Sequence, residues 1–166
     1  FVQSSTYDSP LGPLYFLFDE ETLVYASFDR EHAKDWRKKY FPMTETISCP
    51  LEPSQVEALN TYFLGKPLVW SWPLELRGTP FQKRVWAEVE KVAHGQTTTY
   101  KQIATNLNTK AFRAVGRAVG TNPISIIIPC HRVLGTDWFG GYGGGLNRKR
   151  LLLEIENVTL FPNLNA

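Results

Sequence analysis

Cys130 and His131 stand side by side in "IIIPCHRVLG" (residues 126–135), a thiol and an imidazole closing an apolar run that reads as a buried strand. Such a pair admits four roles: inert packing, metal ligation, redox exchange or nucleophilic attack. Metal ligation needs further ligands at fixed spacing, and no second pair stands at ligand spacing, so neither metal nor cofactor is expected. Redox exchange needs a nearby resolving cysteine, and the other cysteine, Cys49, lies far up the chain. An inert buried thiol is the usual fate of a lone cysteine. A nucleophile needs a base and a group that orients the base. Alone, a thiol of pKa about 8.5 is only slightly ionised at neutral pH. His131 can supply the base, directly or through a water. Pro129 bends the chain to present the thiol, Arg132 adds positive potential, and Glu154 and Glu156 are candidate imidazole partners.

The elements around this pair differ between the two halves of the chain. Residues 13–28 read as two strands around an Asp-Glu-Glu turn. Residues 29–41 read as a helix capped by Asp29, with Trp36 and Tyr40 on one face. A second helix starts at Pro53 and stops at Gly65, with Val56, Leu59 and Phe63 inward. "LVWSWPLEL" reads as a strand or extended linker broken by Pro73. From Arg77 the character changes. Thr79 caps a helix whose stripe is Phe81, Val85, Val89 and Val92, ended by Gly95. A capping box, Thr99 to Gln102, opens the next helix, with Ile103 and Leu107 on one face. After a short turn comes "TKAFRAVGRAVGTN", so the two helices read as a helix-turn-helix.

That second helix is nearly bare: Ala111, Ala114, Gly116, Ala118 and Gly120 recur along it. Glycine costs roughly 1 kcal/mol against alanine inside a helix, so the pattern needs a reason. Tight helix packing is one; a backbone that must lie against something flat and charged is the other. A glycine-rich loop follows Trp138, then an Asn-capped, leucine-rich helix to Glu156. The loop lacks the Lys-Ser/Thr of a phosphate-binding P-loop.

The totals bound the rest. The chain of 166 residues fits one or two small domains, with 43% hydrophobic and 20% charged residues. Net charge is +2, divided unevenly. Residues 1–76 carry six Lys/Arg against eleven Asp/Glu, net −5, and residues 77–166 carry twelve against five, net +7. A basic half points to nucleic acid for that half alone, with a solvated charge bias as the plain alternative. No apolar stretch is long enough to span a bilayer and no leader pattern is read, so no membrane association is expected. Two cysteines suit a reduced cytoplasmic setting, nuclear in a eukaryote.

Five segments carry a family resemblance: "GTPFQKRVW", "TTYKQIA", "FRAVGRAVGTNP", "IIIPCHRVLG" and "GYGGGLNRKRLLLEIE", spread over residues 78–156. In order and spacing they resemble the O6-alkylguanine-DNA alkyltransferases, and "SPLGPLYF" is similar to their first domain. The resemblance implies an α+β fold: a small α/β, RNase H-like domain over 1–76, then a mainly helical, winged-helix-like domain over 77–166. It implies one-time transfer of an alkyl group from O6-alkylguanine in double-stranded DNA to Cys130, by a monomer. His131 would take the thiol proton through a water and Glu156 would orient the imidazole. Tyr100 would hold the flipped nucleotide's phosphate and bond the purine. Arg113 would fill the gap in the duplex, and Asn122 would be a hinge near the thiol. The face of Ala111, Ala114, Gly116 and Arg117 would lie in the minor groove. Tyr142, Val133 and Gly143 would form the guanine pocket. Gly143 stands where a hydroxyl-bearing residue is common in the family and Ser125 where proline is, which bears on substrate range. Relatives that do not repair carry tryptophan at the cysteine position, unlike Cys130. A DNA-binding sensor or regulator without catalysis, and a cysteine hydrolase, are the alternatives.

Overall fold

A computed structural model describes residues 1–136 and 138–158; Asp137 and residues 159–166, the end of the expected second domain, lie outside the described residues. The chain is a mixed α+β structure dividing into two compact units. One comprises Phe1–Arg77 with Pro123–Ser125, the other Gly78–Asn122 with Ile126–Ala166.

The first unit is a four-stranded sheet of order β3-β2-β1-β4 with two helices. Strands β1 (Val2–Ser9), β2 (Gly12–Asp19) and β3 (Thr22–Ser27) run antiparallel, and β4 (Thr46–Ser48) joins β1 in parallel. The β2–β3 hairpin matches the sequence expectation, but β1 is a strand that polar "VQSSTYDS" does not announce. It is held between two neighbours, and only Val2, Ser5 and Tyr7 turn fully inward. Helix α1 (Arg30–Tyr40) begins where Asp29 accepts from the His32 N–H at 3.0 Å. Trp36 on α1 packs against Tyr25 and Phe41 in an aromatic core. Helix α2 (Pro53–Phe63) has a capping box between Glu52 and Gln55. Its buried face is Gln55, Leu59 and Tyr62; Val56 and Phe63 are only half-buried, so the expected face is rotated. The outer edge of β3 is covered by two extended segments. The Leu23 N–H donates to Pro73 O at 2.9 Å, and the Ala26 N–H donates to Pro123 O at 2.8 Å. An edge strand so covered cannot template pairing with another chain.

The second unit packs α3 (Pro80–Glu90), α4 (Tyr100–Asn106) and α5 (Phe112–Gly120) together, with α6 (Leu146–Ile155) later in the chain. A short parallel ladder pairs β5 (Thr98–Thr99) with β6 (Val133–Leu134). Thr79 and Gln82 close both arms of a capping box on α3. The α3 stripe differs from expectation: Val85, Trp86 and Val89 are buried while Phe81 and Val92 are half-buried. Trp86 Nε1–H reaches Ala118 O at 2.7 Å and ties α3 to α5. On α4 only half a box forms, because Gln102 Nε2 donates to Asn106 instead. The N-cap of α6 is Gly145 at φ +97°; Asn147 lies inside the first turn and accepts from Arg150. No helix among the described residues is long and apolar enough to cross a membrane.

Candidate active site

The run before Cys130 is not a strand. Ile126 has φ +72°, a strained conformation for a β-branched residue, and the chain turns at residues 126–127. Ile126 and Ile128 are nonetheless buried and anchor the turn. At Pro129 the chain reverses again, φ −82° and ψ 63°, as the Cys130 N–H donates to Ile128 O at 2.8 Å. This is the inverse γ-turn geometry. It leads into a single 3₁₀ turn, Cys130–Arg132, which carries the thiol, imidazole and guanidinium.

All three residues are buried, and the imidazole and guanidinium converge on Glu156 at the end of α6. His131 Nε2–H donates to Glu156 Oε2 at 2.6 Å, and Arg132 Nε–H donates to Oε1 at 2.7 Å. Arg132 also donates from Nη1 to Val92 O at 2.7 Å. Its charge therefore serves the carboxylate and not, as the sequence suggested, the thiol. Glu154, the other candidate partner, pairs with Arg150 at 2.8 Å on the exposed side of α6. With Nε2 committed to the carboxylate, Nδ1 is the lone-pair nitrogen; it is buried and has no hydrogen-bond partner among the described residues. Burial pulls the His131 pKa down, against the raising influence of Glu156. Burial thus favours the neutral form of the imidazole.

Burial likewise pushes the Cys130 thiol up, while the Asn122 side chain and the Lys149 charge act to lower it. Asn122 also donates from Nδ2 to Ile128 O at 2.7 Å, so it pins the turn that presents the thiol. Lys149 was not singled out in the sequence. It is fully buried on α6, and Nζ donates to Val133 O at 2.7 Å and Gly141 O at 2.9 Å. Burial lowers its pKa to about 8. A lysine within a leucine-rich helix looks like a solvated charge, and "LNRKRLLLEIE" has two arginines beside it that are more exposed. Only an inward-facing position of the helix could have hinted at it.

Cys130 opens into a cavity of about 280 Å³. Tyr100, Tyr142 and Gly143 line it, with Gly116, Val119 and Gly120 from α5. The Tyr142 ring meets His131 edge-on, centroids 6.4 Å apart. Tyr100, first residue of α4, accepts the Gly141 N–H at 3.1 Å through its hydroxyl. Gly140 makes this approach possible: at φ +81° an added Cβ would stand 2.8 Å from the Tyr100 hydroxyl. Val133 was expected in the pocket wall but is wholly buried in β6 and does not line the cavity. It contributes its carbonyl to Lys149 instead.

On α5 the buried side is Val115, Ala118 and Val119. Ala111, Phe112, Arg113 and Arg117 are exposed, and Ala114 and Gly116 are half-buried. A Cβ added at Gly116 or Gly120 would meet nothing within 4 Å. Among the described residues, these glycines therefore do not serve close packing. Their face is open.

Cys130 is thus followed directly by a carboxylate-oriented imidazole, and its cavity is flanked by the open small-residue face of α5. Residues 80–158 match the family model described as 6-O-methylguanine DNA methyltransferase, DNA binding domain. The methylated-DNA–protein-cysteine methyltransferase of Haemophilus influenzae is 40% identical over 159 residues, covering 92% of this chain and 84% of that protein. The chain belongs to this methyltransferase family. The methyltransferase of Mycobacterium tuberculosis is 41% identical over 168 residues, covering 96% and 99%. The crystal structure of the O6-methylguanine methyltransferase of that organism aligns with TM-score 0.82 at 39% identity, over 99% of this chain and 98% of that one. The M. tuberculosis protein in complex with DNA aligns at 0.80 with 40% identity, over 93% and 92%. Among the described residues, no group of three or more His, Cys, Asp or Glu side chains is placed to hold a metal ion.

Proposed function

We propose that the protein repairs DNA by direct reversal, moving the alkyl group of an O6-alkylguanine in duplex DNA irreversibly onto Cys130. The observation that carries this reading is the placement of Cys130, which opens into a cavity, on the same short turn as the His131 imidazole that Glu156 orients. His131 Nδ1 accepts the thiol proton through a bridging water, and Glu156 and Arg132 hold the imidazolium that forms. The S–C bond forms as the O6–C bond breaks. The released guanine takes up one proton, so thiol becomes thioether and alkylguanine becomes guanine. A thioether is a poor leaving group, so each molecule reacts once.

The target base must leave the stack to reach a cavity, which costs a few kcal/mol. The open face of Ala111, Ala114, Gly116 and Arg117 enters the minor groove closely, and Arg113 occupies the space left by the base. Tyr100, whose oxygen already accepts from Gly141, has its phenolic hydrogen free to donate to the purine. Tyr142 and Gly143 bound the base; Asn122 positions the thiol. The short join at residues 107–111 supports a helix-turn-helix, and the small β5–β6 ladder beside it a winged-helix-like second domain over 77–166. The mixed sheet with two helices supports an RNase H-like first domain over 1–76. The protein acts as a cytoplasmic monomer, or in the nucleus of a eukaryote.

Incubation with excess O6-methylguanine duplex, followed by intact mass, tests this. One methyl group per molecule is expected, located at Cys130, and Cys130→Ala should accept none. Sustained turnover, or methylation of the alanine variant, would refute it. DNA binding without any mass gain would instead identify a damage sensor.

A further inference from the structure

Beside the Cys130 cavity runs a larger groove of about 760 Å³, whose lining includes Tyr100, Lys101, Phe112, Arg113 and Trp138. Two of these are large aromatic rings left in solvent: Phe112 is 50% exposed and Trp138 59% exposed. Neither has a part in the repair chemistry described above. The Trp138 ring lies nearly parallel to Tyr100, centroids 6.4 Å apart at 24°, so it extends an aromatic shelf outward from the reaction cavity. Gly135 lets it lie there, since a Cβ at that position would collide with Trp138 Nε1. Tyr100, Gly116 and Gly141 line both spaces, so the groove adjoins the Cys130 cavity along a common rim. Among the described residues, the charged members of its lining are the cations Lys101 and Arg113.

We infer that the groove is a second nucleobase site, which stacks the base next to the lesion on the damaged strand against Trp138 and Phe112. The inference rests on the repair reading. A nucleotide held in the Cys130 cavity remains covalently joined to its neighbours, and one path for these out of the mouth runs over the rim shared with the groove. Beyond that mouth they meet flat apolar rings with positive charge alongside, the combination that binds unstacked nucleic acid. Every base has a π-face, so the site tolerates any sequence. It holds the strand in its opened form and favours lesions that already lie in unpaired DNA.

Photo-cross-linking tests this on the full chain. A 5-iodouracil replaces the base adjacent to O6-methylguanine, the Cys130→Ser protein is used so that the lesion persists, and cross-linked peptides are mapped by mass. Adducts at Trp138 or Phe112 are expected, and none there when the label moves to the opposing strand. Adducts confined to other residues, from DNA that the unaltered protein demethylates, overturn the stacking site and leave the repair reading intact. So do adducts at the two rings from the opposing strand alone. Failure of the unaltered protein to take a methyl group from that DNA overturns the repair reading, and this inference with it. Independently, Trp138→Ala should weaken affinity for a single-stranded lesion oligonucleotide roughly 5- to 150-fold, and Trp138→Phe should restore most of it. Equal affinities of wild type and Trp138→Ala would refute the site.

Discussion

The two units bury different things. In the first, the buried interior is aliphatic and aromatic side chains with only Ser5 and Gln55 as polar members. The second buries His131, Arg132, Lys149 and Glu156 together. Taking such charges out of water costs several kcal/mol per ion, offset only when partners and hydrogen bonds are well placed. Here the partners are placed: the carboxylate has His131 and Arg132, and the ammonium has two carbonyls. The first unit buries an almost wholly apolar core, whereas the second buries a charged network that, on the proposed mechanism, orients the base beside Cys130.

The largest effects should come from breaking one member of each core. Glu156→Ala strands two buried cationic or polar partners and should cost about 3–5 kcal/mol in urea unfolding, besides stopping transfer. Trp36→Ala in the aromatic core of the first unit should cost a similar 3–5 kcal/mol or so. The folded fraction of Trp36→Ala, however, should take up methyl groups at nearly the normal initial rate. Equal losses of rate in both variants would erase the contrast between the units.

The next prediction concerns pH. The Lys149 pKa in the folded state, about 8, lies below its ordinary 10.5. Between those values the unfolded chain binds more protons than the native one, so this group adds stability as pH rises through the window. Relative to Lys149→Met, wild type should gain on the order of 2–3 kcal/mol from pH 8 to 10.5. The Cys130 thiol acts the other way: its pKa is raised, so it stabilises the fold at low pH and that contribution is lost as pH rises through the folded value. A flat difference between wild type and Lys149→Met would mean the ammonium reaches water.

Smaller effects should follow from geometry. Gly140→Ala forces an L side chain to φ +81° against Tyr100 and Lys149, costing about 1–3 kcal/mol and slowing transfer. Normal methyl uptake by that variant would show that the Tyr100 contact is dispensable. Smallest of all, Glu154→Ala removes an exposed pair with Arg150 worth about 0.3–0.5 kcal/mol. Its transfer rate should match wild type, although it lies two residues from Glu156, the carboxylate whose loss is expected to stop the reaction.

Much of this molecule is legible in its sequence because the signals are local. Asp29, Thr79 and Thr99 each receive a backbone N–H three residues on, a contact settled within one turn of chain. The family segments and the adjacent Cys130 and His131 are of the same kind, and so is the bareness of α5. The enclosure of polar β1 by β4 on its second side and the burial of Trp86 were decided by neighbours distant in sequence. So were the site's finer choices. The isoleucines before Cys130 form a strained turn because Ile126 and Ile128 both find buried positions around it. Glu156 faces His131, Lys149 turns inward and Val133 withdraws from the pocket because α6 docks with one face inward. Trp138 and Phe112 share a groove only because a loop and a helix start converge on Tyr100. Residue types and short spacings specify which groups can act, since capping and propensity work over a turn. Which of those groups meet is set by long-range packing, where desolvation and hydrogen-bond partners are chosen across the whole unit.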